Sequence, residues 1–231
     1  MSHPISQAVQ KHCEETLKKF GCNWRGVDWG GDEADHYLRN DRMLELLRMP
    51  VPAQVPFTLL DVGCGYGSLL ELIQERNIPV SYTGIDISPD MIEAARQNNP
   101  NADWLVGDIL EVELPPYDFI VCSGVLTLKL DYSIPEMADF VKKMIKRMYD
   151  LSRIGIAFNI MTTYVNFTSP NLYYSNPNEL LSWCMFELTP KVRLDHSYPL
   201  FDYTIYLYKP DIPQMHYGGH RPFFERRKII E

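Results

Sequence analysis

Three glycines at alternate positions, Gly63, Gly65 and Gly67, sit between an apolar run and an amphipathic one. This arrangement constrains the chain more than any other stretch. Residues 58–62 (Thr58, Leu59, Leu60, Asp61, Val62) have the composition of a short buried parallel strand with an acid near its end. Beyond the glycines, Leu69, Leu70, Leu72 and Ile73 recur at helical spacing. A strand that passes through glycines into a helix presents backbone N–H groups to a ligand at close range, because no Cβ stands in the way. The spacing is GxGxG. The dinucleotide fingerprint is GxGxxG, with its third glycine placed for helix–strand packing beside a pyrophosphate. On this stretch alone a nucleotide-binding turn and a purely structural loop both remain open.

The pattern that follows is alternating strand and helix. Residues 80–86 read as a second strand ending in Asp86, 25 residues after Asp61. In a doubly wound sheet that places a carboxylate at the C-terminal end of the neighbouring strand, within reach of a ribose diol, and a carboxylate accepts two hydrogen bonds from vicinal hydroxyls. Ser88 and Pro89 start the next helix. A short strand over 104–110 runs into the Gly107–Asp108 turn, and 117–126 are a fourth strand and its loop. A helix over 134–151, a fifth strand over 155–161, a polar loop over 162–178 and a helix over 179–186 follow. Residues 192–196 and 203–208 alternate as a terminal antiparallel pair.

The ends carry less. Residues 4–20 read as an amphipathic helix stopped by Gly21, and 33–48 as another. Between them an irregular segment holds Trp24 and Trp29 among glycines, the composition of a packed cap or of a lid over a ligand site. Pro50, Pro52 and Pro56 mark a linker. These limits divide the chain into a helical cap or lid (1–50), a catalytic domain (51–209) and a C-terminal appendage (210–231).

A formal charge of −8 argues against a polyanionic partner, and Arg226-Arg227-Lys228 is too short a basic run to reverse that. The five cysteines are scattered, with no zinc-like spacing and no disulfide framework. No signal pattern and no apolar run of membrane-spanning length is present. A cytoplasmic protein without nucleic-acid, membrane or metal partners is expected.

Four segments resemble the motifs of class I S-adenosylmethionine (SAM)-dependent methyltransferases of the small-molecule type. They are Asp61-Val62-Gly63-Cys64-Gly65-Tyr66-Gly67, the run from Gly84 through Asp86-Ile87-Ser88-Pro89-Asp90-Met91 to Arg96, Gly107-Asp108-Ile109, and the end of the fourth strand at Cys122-Ser123-Gly124. The resemblance covers roughly residues 57–208. It implies a Rossmann-like seven-stranded sheet, mostly parallel with an antiparallel last strand, beneath an N-terminal helical cap. It also implies SAM as cofactor, held by Asp61, Gly63, Cys64, Gly65, Asp86, Ile87, Met91, Gly107, Asp108, Ile109 and Ser123, with Arg39 or Arg42 reaching the SAM carboxylate. Asp108 would accept from the adenine amino group.

The reaction expected is in-line methyl transfer to an O or N nucleophile of a small organic molecule, in a monomer or homodimer. Candidate acceptor walls are Trp29, Lys129, Tyr132, Tyr164, Tyr173 and Tyr174. His196 is the candidate proton acceptor, since imidazole titrates near neutrality. A nicotinamide-dependent oxidoreductase and a non-catalytic SAM-binding subunit are the alternatives.

Overall fold

A computed structural model of the chain describes residues 3–48 and 56–210. The linker prolines Pro50 and Pro52 and the appendage beyond residue 210 lie outside the described residues. Helices α1 (Pro4–Phe20) and α2 (Glu33–Leu44) come first, and the chain continues from α2 through a 3-10 turn, Glu45–Arg48. Then follow β1 (Phe57–Val62), α3 (Ser68–Glu75), β2 (Val80–Asp86), α4 (Pro89–Asn98), β3 (Asp103–Val106) and β4 (Tyr117–Cys122). The chain ends with α5 (Ile134–Leu151), β5 (Ser152–Met161), α6 (Pro177–Glu187), β6 (Val192–Asp195) and β7 (Asp202–Tyr208).

The strands form one seven-stranded sheet in the order β3-β2-β1-β4-β5-β7-β6. The first five are parallel, and β7 enters antiparallel between β5 and β6. Side chains alternate across the sheet, as a pleated strand requires. On one face Leu60, Val62, Ile120, Ile156, Phe158 and Ile205 pack with Met137, Phe140, Val141, Met144 and Ile145 of α5. On the other, Leu59, Phe119, Val121 and Tyr206 pack with Leu69, Leu72 and Ile73 of α3 and Ile92 and Ala95 of α4.

The helices begin where capping chemistry predicts. Asp32, Ser88 and Asn176 accept N–H groups of the first turns of α2, α4 and α6. Ser133 and Glu136 form a reciprocal capping box at α5.

Three boundaries differ from the sequence expectation. The helix over 33–48 tightens after Leu44. The third strand stops at Val106, because Gly107 turns back to donate its N–H to Asp86 O at 2.9 Å. The fifth strand starts at Ser152, directly after α5, since the Ser152 hydroxyl donates to Tyr149 O and closes the helix.

The N-terminal helices are built into the body. Ile5 of α1 belongs to the first core, while Met43 and Leu44 of α2, with Leu46, belong to the second. The ion pair of Lys18 with Asp90 ties α1 to α4 at 3.2 Å. Arg39 of α2 donates to the buried carboxylate of Asp202 on β7. The order of strands reverses at β1, which has β2 on one side and β4 on the other. In open α/β sheets a ligand crevice lies outside the carboxyl ends of the strands at that switch point.

Candidate functional site

The carboxyl ends of β1, β2 and β4 open into a cavity of about 150 Å³. Its floor is the turn after β1, where Gly63, Gly65 and Gly67 all take positive φ. At Gly65 (φ +55°) an added Cβ would stand 2.9 Å from Val27 Cγ1. The turn is therefore both conformationally restricted to glycine and closely covered.

Two strand-end acids hold this floor in shape. Asp86 accepts the N–H of Gly65 at 3.0 Å and the N–H of Ser88 at 2.9 Å. It thereby fastens the glycine turn of β1 to the start of α4. Burial raises its pKa, the two N–H bonds oppose the rise, and Glu14 of α1 adds to it. Asp61 is fully enclosed and accepts the Tyr82 hydroxyl at 2.7 Å. Burial pushes its carboxyl up to about 7, against the Tyr82 bond and with help from Asp86. Asp108, at the end of β3, accepts the N–H of Leu110 at 3.0 Å and that of His3 at 3.3 Å.

The loop after β4 is set by Asn159, a buried polar residue of β5. Its side-chain oxygen accepts the Gly124 N–H at 2.9 Å, and its amide donates to Ser123 Oγ at 3.1 Å. At Gly124 (φ +89°) a Cβ would lie 2.6 Å from the indole of Trp29, so the N-terminal segment rests directly on this loop. The Arg39 guanidinium stacks over that indole, 4.1 Å from the ring centroid.

All eleven residues expected from the strand and turn motifs line the cavity: Asp61, Gly63, Cys64, Gly65, Asp86, Ile87, Met91, Gly107, Asp108, Ile109 and Ser123. Trp29 lines it too. The remaining candidates do not. Arg42 pairs with Asp41 and Asp195. Arg39 is held by Asp202 and stacks on Trp29, and its Nη1 has no hydrogen-bond partner among the described residues. Lys129 donates its ammonium to the carbonyls of Leu130 and Tyr132, stapling its own turn, and Tyr132 packs against the core. Tyr173 is buried in the core, and Tyr174 accepts the Ser169 N–H.

His196 is exposed, with Tyr164 and Tyr203 as its ring neighbours at 6.2 and 5.9 Å. It does not line the cavity, where a proton acceptor was expected: the turn after β6 stands at the far edge of the sheet, with β4, β5 and β7 between β6 and the switch-point strand β1.

Other residues enter from elements with no motif. From α1 come Ser6, Val9, Gln10 and Cys13, and from α2 His36 and Asn40. Phe140, Met144, Leu128 and Leu172 supply apolar wall. The α1 contribution had a faint signal in its amphipathic face; which neighbour that face meets is decided only by packing. Among the described residues no group of three or more His, Cys, Asp or Glu is placed to hold a metal ion. Nor is any helix of the described residues long and apolar enough to cross a membrane.

Comparison with known proteins agrees with this geometry. The family described as "Methyltransferase domain" matches residues 59–148. A putative methyltransferase of Mycobacterium tuberculosis, Rv1506c, is 33% identical over 164 residues, covering 69% of this chain and 97% of the relative. Malonyl-[acyl-carrier protein] O-methyltransferase of Anoxybacillus flavithermus is 42% identical over 72 residues, covering 30% of this chain and 28% of the relative. The crystal structure of magnesium protoporphyrin IX methyltransferase from Synechocystis, with bound S-adenosylhomocysteine, superposes with a TM-score of 0.63 at 16% identity, covering 88% of this chain and 99% of that one. With the glycine turn, the three strand-end acids and a near full-length methyltransferase relative in agreement, the chain belongs to the class I SAM-dependent methyltransferases.

Proposed function

We propose that this enzyme methylates an O or N nucleophile of a small organic molecule. SAM supplies an activated sulfonium methyl, which a nucleophile takes by in-line displacement. The cavity's chemistry suits that cofactor. Asp86 and Asp108 keep acceptor lone pairs beyond the backbone N–H groups they already bind, suited to a ribose diol and an adenine amino group. Asp61 is a buried carboxyl next to the glycine turn, where a ligand's cation would favour its ionised form. Neither arginine lines the cavity; Arg39, stacked on the cavity residue Trp29, stands nearer to it than Arg42, which pairs with Asp41 and Asp195. We assign the eleven lining motif residues and Trp29 to ligand binding on these grounds.

The observation that carries the small acceptor is the N-terminal cover over a small cavity. Helix α1 and the segment around Trp29 line the cavity from above the sheet, Trp29 sits on the loop after β4, and the volume is about 150 Å³. Residues 1–50 thus act as cap and lid of the domain over 51–209. Among the described lining residues the side chains toward α5 and the loop after β4 are mostly apolar, namely Val125, Leu128, Phe140, Met144 and Leu172. Such walls position an organic acceptor by shape, and positioning supplies much of the acceleration in a bimolecular transfer. A cytoplasmic monomer or homodimer completes the proposal, in keeping with the free cysteines.

The test is methyl transfer from isotopically labelled SAM into a cell extract separated by size. Label in one or a few small metabolites is expected. Label confined to protein or nucleic acid would overturn the acceptor class.

A further inference from the structure

We propose that His36 is a ligand-binding donor whose Nδ1–H is set to meet an oxygen of a small molecule held in the cavity. The proposal rests on the SAM-dependent reaction for its probe, but its argument is geometric. His36 lies in the middle of α2, is 8% exposed, and lines the cavity together with Asn40, one turn further on, and Ser68, the first residue of α3.

These three residues form a relay that fixes where the imidazole carries its proton. Asn40 Nδ2 donates to Ser68 Oγ at 3.1 Å, and Ser68 Oγ lies 2.9 Å from His36 Nε2. The Ser68 hydroxyl also bonds the Tyr66 phenol, so its hydrogen is shared between two neighbours and does not by itself place the imidazole proton. The Asn40 amide also approaches Nε2 directly, at 3.5 Å, with its nitrogen. An amide N–H group beside that ring nitrogen is met by a lone pair, not by a second hydrogen. A neutral imidazole then bears its hydrogen on Nδ1.

The ring is held neutral above acidic pH. Burial and then the Arg39 charge lower its pKa to about 4. That value makes it a poor base and leaves it a fixed donor.

Among the described residues the Nδ1–H has nothing to bind. It is buried without a hydrogen-bond partner, while Trp29 meets the ring edge-on and Tyr66 lies stacked on it, both with centroids 6.4 Å away. Buried donors in native proteins are almost always satisfied, so an orphan in a ligand cavity calls for a reason. One turn along the same helix, Arg39 Nη1 is a second buried donor without a partner among the described residues. Arg39 does not line the cavity, so the donor this helix offers to a ligand oxygen there is His36. That oxygen belongs either to the amino-acid end of the cofactor or to the methyl acceptor.

Calorimetry with S-adenosylhomocysteine on wild type, His36→Phe and His36→Gln, beside ¹⁵N NMR of the wild-type imidazole, tests this. The NMR spectrum is expected to show hydrogen on Nδ1 and not on Nε2. If the oxygen is the cofactor's, His36→Phe weakens S-adenosylhomocysteine about tenfold, as loss of one hydrogen bond to a charged group implies, and His36→Gln restores part of it. If it is the acceptor's, affinity for S-adenosylhomocysteine is unchanged, while transfer from saturating labelled SAM into a metabolite extract falls about tenfold. The proposal is overturned if a His36→Phe protein with wild-type melting temperature keeps both properties, or if the wild-type hydrogen resides on Nε2. Failure of the wild type itself to bind S-adenosylhomocysteine would instead count against the cofactor reading.

Discussion

Asp61→Asn should change how the stability of this protein depends on pH. Asp61 is enclosed at the end of β1, and its carboxyl is raised from an ordinary 3.8 to about 7. An acid with a raised folded pKa holds a proton in the native state that the unfolded chain has already released. Between pH 4 and 7 the native state therefore binds more protons, and stability falls as pH rises. A shift of this size corresponds to a cost of about 4 kcal/mol above pH 7, relative to pH below 4. Asparagine has the same shape, still accepts from the Tyr82 hydroxyl, and does not titrate.

Wild type alone does not reveal the effect. His36, lowered to about 4, contributes in the opposite sense, with stability gained as pH rises from about 4 to its ordinary 6.5. The difference between wild type and Asp61→Asn cancels that contribution. Urea denaturation of both proteins at half-unit steps from pH 4 to 8 should show the variant gaining on wild type progressively up to about pH 7, then holding level. A difference that stays flat over this range would refute the argument, because Asp61 would then ionise in the fold as it does in water.

Replacing Asp86 by Ala should weaken S-adenosylhomocysteine by roughly tenfold or more, the loss of charge-assisted hydrogen bonds of about 1.5–3 kcal/mol. Unchanged affinity in calorimetry would remove Asp86 from the ligand site. Gly65→Val adds a side chain at φ +55° into contact with Val27, and should abolish binding in a protein whose circular dichroism stays native; normal binding by such a variant would contradict the close backbone approach. S-adenosylhomocysteine should slow amide exchange over residues 22–32, because Trp29 rests on Gly124 at the cavity wall. Exchange there that ignores the ligand would make the segment a fixed cap.

The amino-acid sequence by itself determined the frame of this protein. Asp61, Asp86 and Asp108 each follow a run whose apolar composition allows little but a buried strand, and the glycines after Asp61 allow little but a tight ligand-facing turn. Those are local constraints, written in neighbouring residues, so the succession of strands and helices and the motif residues that line the cavity could be read in advance, while the arrangement of the sheet was implied by the family resemblance. The tertiary structure alone decided the opposite wall.

His36 and Asn40 stand on a helix whose pattern shows only an apolar face, and their meeting with Ser68 is a contact across about thirty positions. Asn159 is one polar residue in a strand, with no sign in its neighbours that it holds Gly124 and Ser123. The tyrosines of the loop after β5 and His196 do not line the cavity for the same reason in reverse. Their composition suits a pocket, but β7 inserts between β5 and β6 and places His196 beyond the sheet's switch point. Residue type states what a side chain can do, and long-range packing alone states what it faces.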